Sequence, residues 1–183
     1  MHWDENLLVL LNQALSHPFL DQLMVAVTLA TTPPPVVVAL LMLSTRKRWK
    51  GLALLMAFVL STLLAVGVQV LLGRPRPAGV RLVLPPPEAF PSFPSGHAAG
   101  AFACAVLAVL FWRWAGVLTL LGALLVSFSR VYLGHHYPSD VLGGAILGAA
   151  VALVVYGTCY RPLAPARHPH PVHGDGRGLQ NTQ

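Results

Sequence analysis

Charge is scarce in this sequence. Lys, Arg, Asp and Glu make up 10% of the 183 residues, twelve of them basic and six acidic, against roughly 25% in an ordinary water-soluble domain. So few charges cannot clothe a water-facing surface. With 55% apolar residues and a mean hydropathy of +0.65, lipid is the expected solvent for most side chains. The same shortage excludes a disordered chain and a conventional nucleic-acid binder, which needs clustered Lys and Arg. Cysteine is nearly missing as well. Cys104 and Cys159 both sit inside apolar runs, which excludes a disulfide scaffold and assigns them to packing. The opening Met1-His2-Trp3-Asp4-Glu5 lacks the basic start of a signal peptide, so no cleaved leader is expected.

What is present is a series of long apolar runs. Residues 51–73 hold no ionisable side chain and suffice to cross a hydrocarbon core of about 30 Å. Further spans are expected at 95–112, 114–129 and 141–160, with Arg113 marking a tight interfacial turn between Trp112 and Trp114. In the N-terminal quarter the run Pro33-Pro34-Pro35 leaves room for one crossing, at about 34–49. Upstream, Trp3, Leu7, Leu11, Ala14 and Leu15 share a helical face, so residues 4–16 read as an amphipathic helix lying in the interface. The expected fold is an all-α membrane bundle of five spans, with six as the alternative. It forms one embedded domain over 1–160. Residues 161–183, rich in Pro, Gly and His, are expected to be a disordered cytoplasmic tail.

Basic residues set the orientation. Arg46, Lys47, Arg48, Lys50, Arg113, Arg161 and Arg167 share one side by parity, which the positive-inside rule makes cytoplasmic. The segments 74–94 and 130–140 then face out, and they collect the polar residues of the spans' ends. Gly73-Arg74-Pro75-Arg76-Pro77 stops the long span. In Pro94-Ser95-Gly96-His97, Ser95 is placed as a helix N-cap, so that Gly96 and His97 offer backbone N–H groups to an anion. Ser129-Arg130 precedes His136 and Asp140, with Pro138 suited to a first helical turn. Arginine forks, a helix N-terminus and a His beside an Asp fit phosphoryl transfer better than acyl transfer.

These patches resemble the three-part signature of the type 2 phosphatidic acid phosphatase family, which groups with bacterial acid phosphatases and vanadium haloperoxidases. That signature is Lys-x6-Arg-Pro, Pro-Ser-Gly-His and Ser-Arg-x5-His-x3-Asp. The second and third parts are matched completely, by residues 94–97 and by Ser129, Arg130, His136 and Asp140. The first is matched by Arg76-Pro77, with Gln69 standing where the family has Lys. The resemblance covers residues 69–144 and implies a metal-free, cofactor-free, two-step displacement. His136 would attack phosphorus, with Asp140 fixing its tautomer. His97 would protonate the leaving oxygen and later help activate water. Arg76, Arg130, Ser95 and the backbone at Gly96 would hold the phosphoryl oxygens, with Gln69 and Arg74 as further contacts. The implied substrate is a membrane lipid phosphate, undecaprenyl pyrophosphate before phosphatidylglycerol phosphate or phosphatidic acid.

Competing readings are a zinc hydrolase built on His97, His136 and Asp140, which the arginines would crowd, a non-catalytic lipid-phosphate transporter or flippase, and vanadate-dependent oxidation. The bland expectation for His135 is a partly solvated loop histidine, and for Arg81 and Glu88 solvated charges. Gly144-x3-Gly148 and Gly96-x3-Gly100 predict close helix packing within the chain, with an oligomer not required. The loop 74–94 is long enough to act as a lid.

Overall fold

In lipid a backbone must satisfy its own hydrogen bonds, and the apolar runs do so as helices. The computed structural model describes residues 2–30, 33–43, 45–85, 90–160 and 162, and among them there is no strand. α1 (His2–Val9) continues into a wider coil, Leu10–Ala14, and is followed by α2 (Pro18–Leu29) and α3 (Pro33–Leu43). Then come α4 (Arg48–Leu72), α5 (Gly96–Phe111), α6 (Arg113–Tyr132) and α7 (Pro138–Val154), the last extended by Val155–Tyr160. Three stretches, Arg48–Leu72, Arg113–Tyr132 and Pro138–Thr158, are long and apolar enough to cross a membrane. Pro18–Leu29 and Gly96–Phe111 are apolar but shorter. The expected tail, apart from residue 162, and Glu88 lie outside the described residues.

Size is distributed as membrane packing requires, small side chains between helices and large ones outside. Ala39, Ala53, Ala57, Ala103 and Ala152 are buried with Leu107 and Val155, whereas Leu63, Trp114, Leu118 and Leu71, the last 82% exposed, face outward. α5 is the central helix, packed by α4, α6 and α7. Its contact with α7 is a close backbone approach, because a Cβ on Gly148 would lie 2.2 Å from the carbonyl oxygen of Ala99 and one on Gly144 2.4 Å from that of Ser95. The glycine pair of α7 thus packs within the chain, as expected. In the other pair only Gly100 meets a neighbour, Phe58, while a Cβ at Gly96 would meet nothing.

The expected crossing at 34–49 is corrected. α3 ends at Leu43, a turn follows, and Trp49 already belongs to α4. The Thr45 hydroxyl donates to the Met42 carbonyl and accepts from Lys47 N–H, a local side-chain turn that competes with helix continuation exactly where the basic cluster begins. α2 takes the first half of that descent. Asp21, near its start, pairs with Arg81 and accepts from Tyr132 at the C-terminal end of α6. The far end of α3 lies against Gly51 at the start of α4. α2 and α3 therefore run in succession from one end of the bundle to the other. At the latter end Lys50 stands 4.8 Å from the ring of Trp112, on the short turn between α5 and α6.

The N-terminal amphipathic helix is present, and its inward face is the polar one. Asp4, Leu8 and Asn12, spaced by a turn each, are buried, while Trp3, Leu7, Leu10 and Leu15 are exposed. Asn12 satisfies its amide fully: its nitrogen donates to the carbonyls of Arg81 and Tyr132, and its oxygen accepts from Arg81 N–H.

Candidate active site

The C-terminal ends of α4 and α6 and the N-terminal ends of α5 and α7 meet at the bundle end opposite Lys50, and the expected residues lie on them. α6 stops in a turn at Gly134, whose φ of +76° and whose distance of 2.8 Å from a would-be Cβ to the Arg81 carbonyl oxygen both require glycine. The carbonyl of Arg130 then accepts from both His135 and His136 N–H, at 3.1 and 3.3 Å. That turn points the two histidines inward.

His136 is 2% exposed. Its Nδ1 lies 2.8 Å from the Ser92 carbonyl oxygen and 3.5 Å from Oδ2 of Asp140. A carbonyl only accepts, so Nδ1 carries the hydrogen and Nε2 the lone pair. Nε2 stands 3.4 Å from Nη1 of Arg76. Burial, with Arg130 and Arg76 nearby and Asp140 acting in the opposite direction, lowers the His136 pKa to about 4. The ring is therefore neutral at physiological pH, the form a nucleophile needs. Asp140 accepts from Tyr137 N–H at 2.9 Å and from Arg74 Nη1 at 2.6 Å, and its carbonyl accepts from Ser95 N–H at 2.9 Å. That last bond locks the first turn of α7 to the start of α5.

The cations divide into two kinds. Arg76 is held by the carbonyls of Phe90 and His135, and the same Nη1 that bonds His135 stands beside His136 Nε2. Arg130 is 2% exposed and gives Nη1 to Thr28 at 2.7 Å, while its buried Nε and Nη2 have no hydrogen-bond partner among the described residues. A buried guanidinium with two unused donors beside His97, His135 and His136 is suited to meet an anion. Arg74 differs: its two terminal nitrogens bond Asp140, Ser139 and Asp4, and its guanidinium lies 4.3 Å from the Tyr137 ring. In this arrangement Arg74 braces Asp4 against Asp140.

Gln69 is buried, and its amide nitrogen donates to the Pro94 carbonyl at 2.7 Å, next to Ser95. Ser95 caps α5 through its Oγ, which accepts from Ala98 N–H at 3.5 Å, leaving the N–H groups of Gly96 and His97 in a first turn where no intrahelical carbonyl can accept. The charged and titratable neighbours of His97 are Arg130, His136, His135 and Arg76.

Two bland expectations fail. His135 is buried, not solvated; its Nε2 donates to the Leu84 carbonyl at 2.6 Å, its Nδ1 has no partner among the described residues, and burial followed by Arg130 lowers its pKa to about 4. Arg81 forms a two-pronged pair with Asp21 at 2.8 and 2.9 Å. Sequence reasoning missed Asp4, Ser92, Ser139 and Thr28. Of these only Asp4 carried a signal, a carboxylate one turn from Leu8 and two from Asn12. Among the described residues no group of three or more His, Cys, Asp or Glu side chains is arranged to hold a metal ion.

Fold and site together define an integral membrane protein whose helix ends converge on a cluster of arginine and histidine. The chain belongs to the PAP2 superfamily, whose family model matches residues 50–162. It is 36% identical over 93 residues to the lipid A 4'-phosphatase of Bacteroides thetaiotaomicron, covering 50% of this chain and 41% of that protein. To the undecaprenyl-diphosphatase of Sulfolobus acidocaldarius it is 34% identical over 121 residues, 62% of this chain and 57% of that one. The chain spans about half the length of the curated relatives it matches. The crystal structure of a transmembrane PAP2 type phosphatidylglycerolphosphate phosphatase from Bacillus subtilis superposes with a TM-score of 0.74 at 29% identity, covering 85% of this chain and 84% of that one.

Proposed function

We propose that this chain is a metal-independent lipid phosphate phosphatase acting through a phosphohistidine. The observation that carries the reading is His136, buried, neutral and with its Nε2 lone pair beside Arg76. Nε2 attacks the terminal phosphorus, the bond from that phosphorus to the leaving oxygen of the lipid or lipid phosphate breaks, and His97, protonated at this point, gives that oxygen its proton. Water then attacks the phosphorus, His97 takes a proton from it, and the P–N bond breaks to release phosphate and return the lone pair to Nε2. Arg76, Arg130 and the first-turn N–H groups of α5 hold the equatorial oxygens, as charge spreads over them in the transition state.

The proposed substrate is a phosphate or pyrophosphate ester of a membrane lipid, undecaprenyl pyrophosphate first, with phosphatidylglycerol phosphate and phosphatidic acid as alternatives. The names of the relatives support the class: lipid A phosphatase, undecaprenyl-diphosphatase and phosphatidylglycerolphosphate phosphatase. The basic end at Arg46 to Lys50 and Arg113 supports a site on the outer face of a bacterial cytoplasmic membrane. The test is phosphate release from these three lipids and a soluble monoester, in detergent with and without EDTA. Activity from the wild type and none from His136→Ala is the expected result. Persistent activity in His136→Ala removes the nucleophile, and loss in EDTA restored by zinc removes the metal-free step.

A further inference from the structure

Asp4 is the buried carboxylate that the proposed chemistry does not use. It sits on α1, 1% exposed, and its side chain is fully engaged. Oδ1 accepts from Ser139 N–H at 2.9 Å, and Oδ2 accepts from Arg74 Nη2 at 2.8 Å and from the Ser139 hydroxyl. Arg74 turns its other terminal nitrogen to Asp140 at 2.6 Å, and Ser139 is the residue before Asp140. Asp4 thus reaches Asp140 by two routes, one through a guanidinium and one through the backbone of the first turn of α7.

Charge explains why a second carboxylate would be wanted. Arg74 alone would neutralise Asp140, and a neutral pair does little to support the positive charge that His136 gains when Nε2 bonds phosphorus. With Asp4 the trio Asp4, Arg74 and Asp140 carries a net single negative charge. Asp140 stands 3.5 Å from the ring that needs it. The other charged or titratable groups facing His136 are Arg76 from the loop after α4, Arg130 from α6, His97 from α5 and its neighbour His135, none of which supplies a negative charge.

We infer that Asp4 is a positioning residue for Asp140: it shares the Arg74 guanidinium and fixes the Ser139 turn, so that the carboxylate beside His136 keeps an uncompensated negative charge. The inference rests on the phosphohistidine reading for its effect on rate but not for its effect on the ring's titration.

The experiment uses the full chain in detergent, with phosphate release from phosphatidic acid and histidine-selective nitrogen-15 NMR of His136. Asp4→Asn is expected to lower kcat about tenfold with KM within about twofold, and to move the His136 titration to lower pH. Arg74→Met alone is expected to move the titration the opposite way. In the Asp4→Asn, Arg74→Met double variant Asp140 regains its free charge, so the titration returns toward wild type. A purely structural role gives no such return. A wild-type titration in Asp4→Asn, or a double variant shifted further down than the single, overturns the inference; should Asp4→Asn not fold, the double variant is compared with Arg74→Met, where a lower titration in the double variant sustains the inference and an equal one overturns it. A wild type that releases no phosphate while the shifts follow this pattern overturns the phosphatase reading and sustains the charge coupling.

Discussion

His136 Nδ1 stands nearer to the Ser92 carbonyl oxygen, at 2.8 Å, than to the Asp140 carboxylate, at 3.5 Å. The tautomer is therefore set by a backbone group in the loop before α5, and the role foreseen for Asp140 narrows to electrostatic support. The consequence is that Asp140→Asn should leave His136 correctly oriented while weakening its cationic state.

The pH behaviour follows from burial. His135 and His136 have pKa values lowered from 6.5 to about 4 in the folded chain. Between these values the unfolded chain binds more protons than the folded one, so stability is fully present above about 6.5 and is lost as pH falls through about 4. Thermal unfolding in detergent should show Tm declining across that window, and His135→Asn should flatten the decline. Phosphatase kcat/KM should likewise hold its acid limb near 4, the pH at which His136 loses its lone pair, and a limb near 6.5 would contradict the burial argument.

Arg130 offers two buried donors without a partner among the described residues, in a planar fork that a single ammonium cannot reproduce. Arg130→Lys is expected to reduce kcat/KM about a hundredfold, the scale of losing one donor to a developing phosphoryl charge. Steady-state kinetics on a lipid phosphate gives the answer, and a loss under about threefold would show that the free nitrogens do not meet substrate.

Gln69 ties α4 to the loop before α5. Gln69→Leu keeps the side chain's bulk but strands the buried Pro94 carbonyl, for a loss of about 1–3 kcal/mol. Denaturation of the purified variant measures it directly, and unchanged stability would mean that the carbonyl finds another donor.

Gly148→Ala places a methyl 2.2 Å from the Ala99 carbonyl oxygen, which belongs to backbone and cannot swing aside. Separation of α5 from α7 is expected to destabilise the fold by about 1–3 kcal/mol and to loosen the Ser95–Asp140 link. Gly157→Ala, with nothing within 4 Å of its Cβ, is the matched control.

The meeting of these residues at one end of the bundle was legible because they fall at fixed spacings on helix ends: Ser95 as a cap, Arg130 and His136 six apart across one turn, Asp140 in a first turn. Fixed spacing says nothing about residues that arrive from elsewhere in the chain. Asp4 comes from a helix that looked merely amphipathic, and Ser92 acts through its backbone, which every residue possesses. The bonds of Arg74 to Asp4 and of Gln69 to Pro94 escaped for the same reason, because sequence shows that a donor is present but not which acceptor it meets. The broken descent through α2 and α3 escaped because two short apolar helices in series satisfy the same length that one long span would.

The sixteen residues of α5 have a further consequence. Because Lys50 and Trp112 stand level at one end, the climb of α4 from Lys50 to Leu72 exceeds that of α5 from Trp112 to Gly96 by about 9 Å at 1.5 Å per residue. The start of α5 is thus set back by that length from the end of α4. On the proposed reading, a lipid phosphate bound for His136 would pass the end of α4 before it met the start of α5.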